Sequence, residues 1–201
     1  MINIGIIGFG YWGPNLVRNF AQQKEGTVKS IAESRIERHA SIKSLYPNIE
    51  IHQNADDLIN DVSIDAVVIA TPVFTHYNLA KKALLAGKHV LLEKPMTSSV
   101  DESKELIDLA QKKGLVLMVD HTFLYTGAVQ KMKELIDSNT IGELKYFDST
   151  RINLGLFQPD INVLWDLAPH DISILNYLVS NKPHSVNATG VSHTNNGIEN
   201  V

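Results

Sequence analysis

The stretch "INIGIIGFGYWG", residues 2–13, joins an apolar run to three closely spaced glycines. The run lacks the polar alternation of a half-exposed strand, so it predicts a strand that is covered on both faces. Gly8, Gly10 and Gly13 follow in the spacing G-x-G-x-x-G, and the next residues, "PNLVRNF", continue as a helix. This strand, loop and helix are typical of a dinucleotide-binding unit, although an ordinary strand–turn–helix remains the alternative.

Each glycine of the loop has a physical reason. Gly8 permits a tight turn, Gly10 lets the backbone approach a pyrophosphate, and Gly13 allows the helix to pack closely on the strand. The first turn of the helix offers unpaired N–H groups and a positive dipole end to an anion. Pro14 costs little there, because its missing N–H would have no partner in any case.

Apolar runs recur along the first 120 residues and alternate with segments of helical period. They predict further strands, which begin near Val28, Asp65, His89 and Leu115. Alternating strands and helices imply right-handed crossovers and an open parallel sheet. We therefore predict an α/β Rossmann domain, a doubly wound parallel sheet, over residues 1–122.

Two of the intervening helices carry boundary signals. Ser99 with Glu102 forms a capping box before "KELIDLAQKK", and Gly114 follows as a C-terminal stop. Thr75 precedes "HYNLAKKALLA", for which Gly87 is the corresponding stop.

The pattern changes after about residue 125. We predict helices over residues 128–137 and 169–179, and strands over residues 143–155 and 185–193. In the first of these strands every second side chain is expected on one face, with the other face in water. Residues 123–201 would then form an incomplete α+β domain on an antiparallel sheet, because two strands rarely hold together unaided. The strand residues expected on one face are Leu144, Tyr146, Thr150, Ile152 and Leu154.

The composition excludes several classes of function. The chain has 201 residues and a formal charge of −4, without the basic cluster that a nucleic acid requires. It contains no cysteine, and no apolar run is long enough to span a membrane. We expect a cytoplasmic protein that takes a small molecule as its partner, with no nucleic acid, no membrane and no metal.

Glu33 comes twenty residues after Gly13, at the end of the second strand. An acid at this position is expected to hold the adenosine ribose hydroxyls and to repel a 2′-phosphate. Like charges about 4 Å apart cost roughly 4 kcal/mol at an effective dielectric constant near 20, which is close to three decades in affinity. Arg35 could offset part of this repulsion by pairing with such a phosphate. The sequence therefore favours NAD over NADP; a solvated acid at a strand end is the alternative for Glu33.

Two short motifs follow later strands of the predicted sheet. "EKP" places Glu93 and Lys94 before a proline that suits a cis peptide bond. "ATP" places Thr71 and Pro72 at the end of the preceding strand. Because ligands bind beyond the carboxyl ends of parallel strands, we expect these residues in the coenzyme crevice. His76 is also a candidate there, although the sequence favours a place on the helix surface.

The motifs "GFGYWG", "ATP", "EKP" and "WDLAPHD" occur in an order and spacing that resemble the glucose-fructose oxidoreductase, inositol dehydrogenase and rhizopine-catabolism (Gfo/Idh/MocA) family of NAD(P)-dependent dehydrogenases. The resemblance covers nearly the whole chain. It implies that Lys94, Asp166 and His170 surround the reacting carbinol, and that NAD, or NADP as an alternative, is the coenzyme. It also implies a homo-oligomer for a complete chain. The candidate coenzyme-binding residues are Gly8, Phe9, Gly10, Tyr11, Trp12, Gly13, Glu33, Arg35, Thr71, Pro72, His76, Glu93 and Lys94.

Asp166 and His170 are four residues apart, and so they share a face if the segment is helical. We expect His170 in the first turn of a helix, where the dipole keeps the ring a neutral base, with Asp166 orienting it. The alternative is that Asp166 caps the helix and His170 is merely packed. Arg151 and Asn153 are weaker candidates for substrate contacts.

The resemblance implies hydride transfer between nicotinamide and a secondary alcohol of a sugar, polyol or sugar nucleotide, for example a UDP-sugar. One departure is Ser173, which stands where many relatives carry a second acid; another is the length, which is shorter than expected for the family. The competing interpretations are a non-catalytic dinucleotide-binding regulator, a degenerate fragment of such an enzyme, and a reductase of an imine or a tetrapyrrole.

Overall fold

The computed structural model describes residues 1–152, 161–193 and 197–201. Two predictions fall outside them: the side chain of Asn153 as a substrate contact and the last part of the strand expected to end at residue 155. The chain divides into two units, Met1–Asp120 and His121–Val201. This division lies two residues before the boundary expected from the sequence.

The first unit is built on a six-stranded sheet in which every pair of neighbours is parallel. The order β3-β2-β1-β4-β5-β6 confirms the doubly wound sheet predicted from the alternating runs. The sequence missed β3, because its three residues include two polar ones and form an edge strand. The strands are β1 (Ile2–Ile7), β2 (Gly26–Ala32), β3 (Glu50–His52), β4 (Ala66–Ile69), β5 (His89–Leu92) and β6 (Leu117–Val119).

Five helices connect these strands. They are α1 (Gly13–Ala21), α2 (His39–Leu45), α3 (Ala55–Asn60), α4 (Val73–Leu85) and α5 (Val100–Lys113).

The predicted ends of α5 are confirmed. Ser99 accepts a hydrogen bond from the Glu102 amide, at 3.3 Å, and Gly114 ends the helix with a φ of 64°. The predicted start of α4 was three residues late. The helix begins directly after Pro72, and the Thr75 hydroxyl, instead of capping a start, donates to the Pro72 carbonyl oxygen.

Apolar side chains cover both faces of the sheet, as the runs without polar alternation predicted. Neighbouring residues of β1 and β4 alternate between two buried clusters: Ile6 and Val68 face one side, and Ile7 and Val67 face the other. The carboxyl ends of the central strands β1 and β4 therefore rest on a core that is packed on both faces, which holds the loops that follow them in place.

The second unit contains two α-helices, α6 (Gly127–Asp137) and α7 (Val163–Leu178), among its described residues. The two helices meet where the Tyr177 hydroxyl donates to the Gln130 side chain, at 3.3 Å, and where the Lys133 ammonium lies over the Tyr177 ring. The helix predicted for residues 128–137 is confirmed. The helix predicted from residue 169 begins six residues earlier, and Pro169 lies inside it.

The predicted antiparallel sheet does not form in the described part of this unit. Residues 143–152 and 185–193 adopt no strand. Val191 and Val201 exchange two backbone hydrogen bonds, which make a single antiparallel pair and not a ladder. An isolated segment of alternating pattern is not held as a strand unless a neighbour satisfies its backbone groups. In the described ranges of both units, no helix is long and apolar enough to cross a bilayer.

Candidate active site

The glycine loop has the close contacts that its spacing predicts. A Cβ added at Gly8, where φ is +97°, would lie 2.5 Å from the Ala70 carbonyl oxygen. One added at Gly13 would lie 2.2 Å from the Gly8 carbonyl oxygen, because the start of α1 packs against the end of β1. At Gly10 the nearest atom, on the Arg35 side chain, is 3.8 Å away, so the backbone faces open space. No side chain caps α1.

A cavity of about 490 Å³ lies beyond the carboxyl ends of β1, β2 and β4, where the strand order reverses. This is the place at which open parallel sheets bind their ligands. Phe74, which the sequence reasoning missed, also lines it. The predicted coenzyme-binding residues that line the cavity are Gly8, Gly10, Glu33, Arg35, Thr71 and Pro72. Those that lie outside its lining are Phe9, Tyr11, Trp12, Gly13, His76, Glu93 and Lys94.

The Glu33 carboxylate is the buried acid of this cavity and is only 3% exposed. One of its oxygens accepts from the Arg35 amide (3.0 Å) and the Arg35 Nε (2.8 Å). The other accepts from the Phe9 amide (2.9 Å) and the Arg35 Nη2 (3.1 Å). Burial alone would raise the pKa of Glu33, but these hydrogen bonds outweigh it and lower the pKa to about 2. Glu33 is therefore ionised at neutral pH and is not a solvated acid.

The backbone of Phe9 is held from both sides. Glu33 binds its amide, and Arg38 donates to its carbonyl oxygen. The Phe9 side chain is buried in the core, so both the side chain and the backbone of this residue already have protein partners. Tyr11 is 86% exposed, and its ring lies 5.8 Å from that of Trp12. The glycine loop is thus anchored at its start and exposes two aromatic side chains at its tip.

His76 is not on the helix surface, as the sequence suggested. It is 1% exposed, and its ring lies between two loops: Nδ1 is 2.9 Å from the Pro95 carbonyl oxygen, and Nε2 is 2.8 Å from that of Thr71, so the single N–H of a neutral ring donates to one of the two. Burial lowers the pKa of His76, which keeps the ring neutral. The Lys94–Pro95 peptide is cis, as expected. His76 therefore ties the turn that carries Lys94 to the wall of the cavity.

Glu93 lies beside Lys94 and is bonded to a residue that the sequence reasoning missed. Its side chain forms a hydrogen bond with Asp120, which follows β6, and also accepts from the Lys94 amide (3.2 Å). Burial, together with the charge of Asp120, raises the pKa of Glu93 to about 7. The available signal was that an acid follows β6 directly, just as Glu33 follows β2.

In the second unit, Asp166 and His170 lie four residues apart within α7, so they share a face of this helix. The helix cap is Asn162, whose side chain accepts from the Trp165 amide (2.9 Å), and Asp166 therefore does not serve as the cap. His170 is in the third turn, not the first, which removes the expected effect of the helix dipole on its ring. The Phe123 ring packs edge-on against His170, with centroids 4.8 Å apart.

Arg151, a predicted substrate contact, is held by another side chain of the second unit. Its Nε and Nη2 donate to the two carboxylate oxygens of Asp171, at 2.7 and 3.2 Å. This ion pair lowers the pKa of Asp171. The guanidinium also lies over the Phe123 ring, 5.0 Å from its centroid. Ser173, which replaces a second acid, donates to the His170 carbonyl oxygen (2.7 Å).

The first unit fits a dinucleotide. An uncapped helix start and an open glycine backbone suit a pyrophosphate, and an ionised acid at the end of the neighbouring strand suits ribose hydroxyls. A coenzyme lying across the strand ends would reach from Glu33 toward Lys94. In the residues that the structure describes, no group of three or more histidine or acidic side chains could hold a metal ion.

Comparison with known proteins agrees with this geometry. The chain is 33% identical to the uncharacterised oxidoreductase YdgJ of Escherichia coli, over 84% of its own length and 51% of that protein. It is also 33% identical to UDP-N-acetylglucosamine 3-dehydrogenase of Acidithiobacillus ferrooxidans, over 94% of the chain and 58% of that protein. The chain thus spans about half the length of these curated relatives.

A solved structure shows the same fold. Scyllo-inositol dehydrogenase from Lactobacillus casei, crystallised with NAD(H) and scyllo-inositol, superposes with a TM-score of 0.77 at 20% identity, over 90% of this chain and 56% of that one. Residues 2–121 match the family described as "Oxidoreductase family, NAD-binding Rossmann fold", and residues 129–201 match the "GFO/IDH/MocA C-terminal domain". The chain therefore belongs to the Gfo/Idh/MocA family of oxidoreductases and carries its NAD-binding Rossmann domain.

Proposed function

We propose that this protein is an NAD-dependent dehydrogenase that oxidises a secondary alcohol of a sugar, a polyol or a sugar nucleotide. The observation that carries the proposal is the place of the buried His76 ring, which contacts the carbonyl oxygens of both loops. Through it, the turn of Lys94 is fixed beside the cavity that contains the glycine loop and Glu33. A protein that only bound a dinucleotide would have no need of a lysine on a turn fixed at this place.

The bound coenzyme would supply a nicotinamide ring that accepts a hydride. Lys94 would donate a hydrogen bond to the oxygen of the reacting alcohol and so stabilise the negative charge that develops there. His170 would take the hydroxyl proton as general base, and Asp166, one turn earlier on the same helix face, would stabilise the imidazolium that results. Each of the three side chains then has one role.

A sugar nucleotide is the substrate class that we favour. The relative from Acidithiobacillus ferrooxidans, which matches 94% of the chain, is named for UDP-N-acetylglucosamine. One further observation fits a substrate that carries a base: the glycine loop exposes the aromatic rings of Tyr11 and Trp12, which could stack on flat groups.

A substrate panel tests this proposal. The purified protein is mixed with NAD and, in turn, with polyols, free sugars and UDP-sugars, while the absorbance of NADH is followed. We expect NADH to form with a UDP-sugar or another secondary alcohol. Tight coenzyme binding without turnover of any substrate in the panel would instead support the alternative of a non-catalytic dinucleotide-binding regulator.

The charge of Glu33 is predicted to set the preference between the two coenzymes. Replacing Glu33 with glutamine keeps the shape and one acceptor oxygen but removes the negative charge that repels a 2′-phosphate. It also frees Arg35 to pair with that phosphate. We expect the ratio of the NADP and NAD dissociation constants, measured by calorimetry, to fall by roughly 10- to 1000-fold, the upper limit following from the like-charge repulsion.

Glu25→Gln is the matched control, since Glu25 is an exposed acid directly before β2, at the end of this strand opposite to Glu33. It should leave the ratio unchanged. An equal shift in both variants would mean that a general change of charge, and not the ribose site, sets the preference.

A further inference from the structure

Glu93 and Asp120 leave the sheet side by side. Strands β5 and β6 pair in parallel with Leu92 opposite Val119, so the next residue of each strand emerges at the same level. The Asp120 amide donates to the Leu92 carbonyl oxygen (2.8 Å), which fixes this register to the last residue. The two acids therefore face each other because of the backbone, and not by a chance of side-chain rotation.

Their hydrogen bond requires a proton. An ionised carboxylate can only accept hydrogen bonds. One of the two side chains must therefore be protonated to donate the hydrogen bond between Glu93 and Asp120. Burial favours this, since Glu93 is 8% exposed and two charges at such a distance repel strongly in a poorly solvated place. Burial and the charge of Asp120 together raise the pKa of Glu93 to about 7.

The other charged groups around Glu93 and Asp120 have smaller effects on the pKa of Glu93. The Lys94 amide and ammonium lower the pKa of Glu93, but less than burial and Asp120 raise it. On α4, the buried His76 has a lowered pKa and is neutral, so it adds no charge. The pair therefore changes its proton content near neutral pH, where the coenzyme must bind.

The position of the pair relates it to one half of the coenzyme. The adenosine ribose is expected at Glu33, after β2, and the pyrophosphate at the glycine loop, after β1. The rest of a dinucleotide must then extend across the strand order toward β4 and β5. The nicotinamide ring carries a positive charge when the coenzyme is oxidised and none when it is reduced.

We propose that Glu93 and Asp120 share one proton at the nicotinamide side of the crevice, and that binding of oxidised, but not reduced, coenzyme releases this proton to solvent. The positive charge of the oxidised nicotinamide ring stabilises two ionised carboxylates, and so it lowers the pKa of the pair. Oxidised coenzyme would then be bound more tightly as the pH rises, while binding of the reduced form would not depend on the pair. The proposal rests on the coenzyme binding of the proposed function.

The shared proton itself is tested without coenzyme. The carboxyl carbons of glutamate are followed by ¹³C NMR against pH, and the Glu93 signal is assigned by its loss in Glu93→Gln. We expect a midpoint near pH 7. A midpoint near the ordinary value of 4.5 would overturn the proposal.

Its release is tested by calorimetry of NAD⁺ and NADH in two buffers with different heats of ionisation. At pH 6.5 we expect NAD⁺ to release more than half a proton and NADH none. The NAD⁺ affinity should rise about tenfold between pH 6 and pH 8, as linkage to one group with a pKa near 7 requires. Glu93→Gln should remove both effects, and Asp101→Asn, at an exposed acid of α5, should keep them.

The outcomes separate the two proposals. Binding of NAD⁺ without proton release, or equal release with both coenzymes, overturns the inference and leaves the proposed function intact. No heat of binding with either coenzyme overturns the proposed function and the release together, while the NMR midpoint still reports on the shared proton.

Discussion

Replacing Gly13 with alanine is expected to weaken NAD binding by at least about a hundredfold. The new Cβ would lie 2.2 Å from the Gly8 carbonyl oxygen, and this neighbour is backbone that cannot turn away. Helix α1 must then move off β1, which carries its first amides away from the pyrophosphate. The loss of two hydrogen bonds to a charged group, at about 1.5 kcal/mol or more each, weakens binding by about this factor. Overpacking should also cost about 1–3 kcal/mol of unfolding free energy. Calorimetry gives the affinity, and thermal unfolding gives the stability.

Two further variants make the result interpretable. In Gly127→Ala the added Cβ meets nothing within 4 Å, at the start of α6, so both quantities should be retained. In Gly10→Ala the nearest atom is 3.8 Å away, so the fold should be kept while the pyrophosphate loses its close approach to the backbone. Normal coenzyme affinity in Gly10→Ala and Gly13→Ala would contradict the assignment of the loop.

Lys94→Ala and His170→Asn are each expected to lower the turnover number by about 10²- to 10⁴-fold, the usual contribution of a group that moves or stabilises a proton. In the proposed mechanism both side chains act on the reacting alcohol, and Lys94, although a candidate coenzyme contact from the sequence, lies outside the lining of the cavity. The dissociation constant of NADH should therefore change by less than about threefold. Steady-state rates on the best substrate of the panel, together with NADH fluorescence titrations, measure the two effects separately.

Lys104→Ala and His184→Asn are the matched controls. Both replace the same residue type at exposed positions of the described chain, and neither should alter turnover. Undiminished turnover in both active-site variants would refute the assignment of Lys94 and His170. A loss of NADH binding as large as the loss of turnover would show that the side chains support the fold of the crevice and not the chemistry.

The sequence predicted the first unit well because its signals are local. The glycine spacing, the apolar runs and the Ser99–Glu102 cap each act over a few residues, and all of them agree on one sheet. β3 was missed because Glu50 and His52 make it polar, and its strand conformation comes from pairing with β2. A short edge strand is specified by its neighbour more than by its own residues.

The second unit was predicted less well, because its structure, like that of β3, depends on neighbours that are distant in the sequence. The alternation around Tyr146 and Ile152 predicts a strand only if a partner strand satisfies the backbone, and the described residues provide none there. The start of α7 was placed six residues late because Pro169 was interpreted as its first turn. Proline is also tolerated within a helix, at a cost in hydrogen bonding that tertiary contacts can cover.

For the candidate site, the sequence identified the residue types but not their partners. Glu33 was expected to face the ribose, yet its four hydrogen bonds to Arg35 and Phe9 could not be foreseen from spacing. His76 was assigned to the surface because a helical period alone does not say which face is covered. Asp120 was overlooked because one acid after a strand carries no signal until β5 and β6 are known to be neighbours.

The four hydrogen bonds that the Glu33 carboxylate accepts also affect how a coenzyme binds. Arg35 already donates to both oxygens of Glu33, so we expect the ribose hydroxyls of an arriving nucleotide to replace existing hydrogen bonds. We therefore expect a small net gain in binding free energy at this point, with the guanidinium released to stack on the purine or to turn into water. Added salt, which screens such an exposed cation, should therefore quicken the exchange while changing the final affinity little.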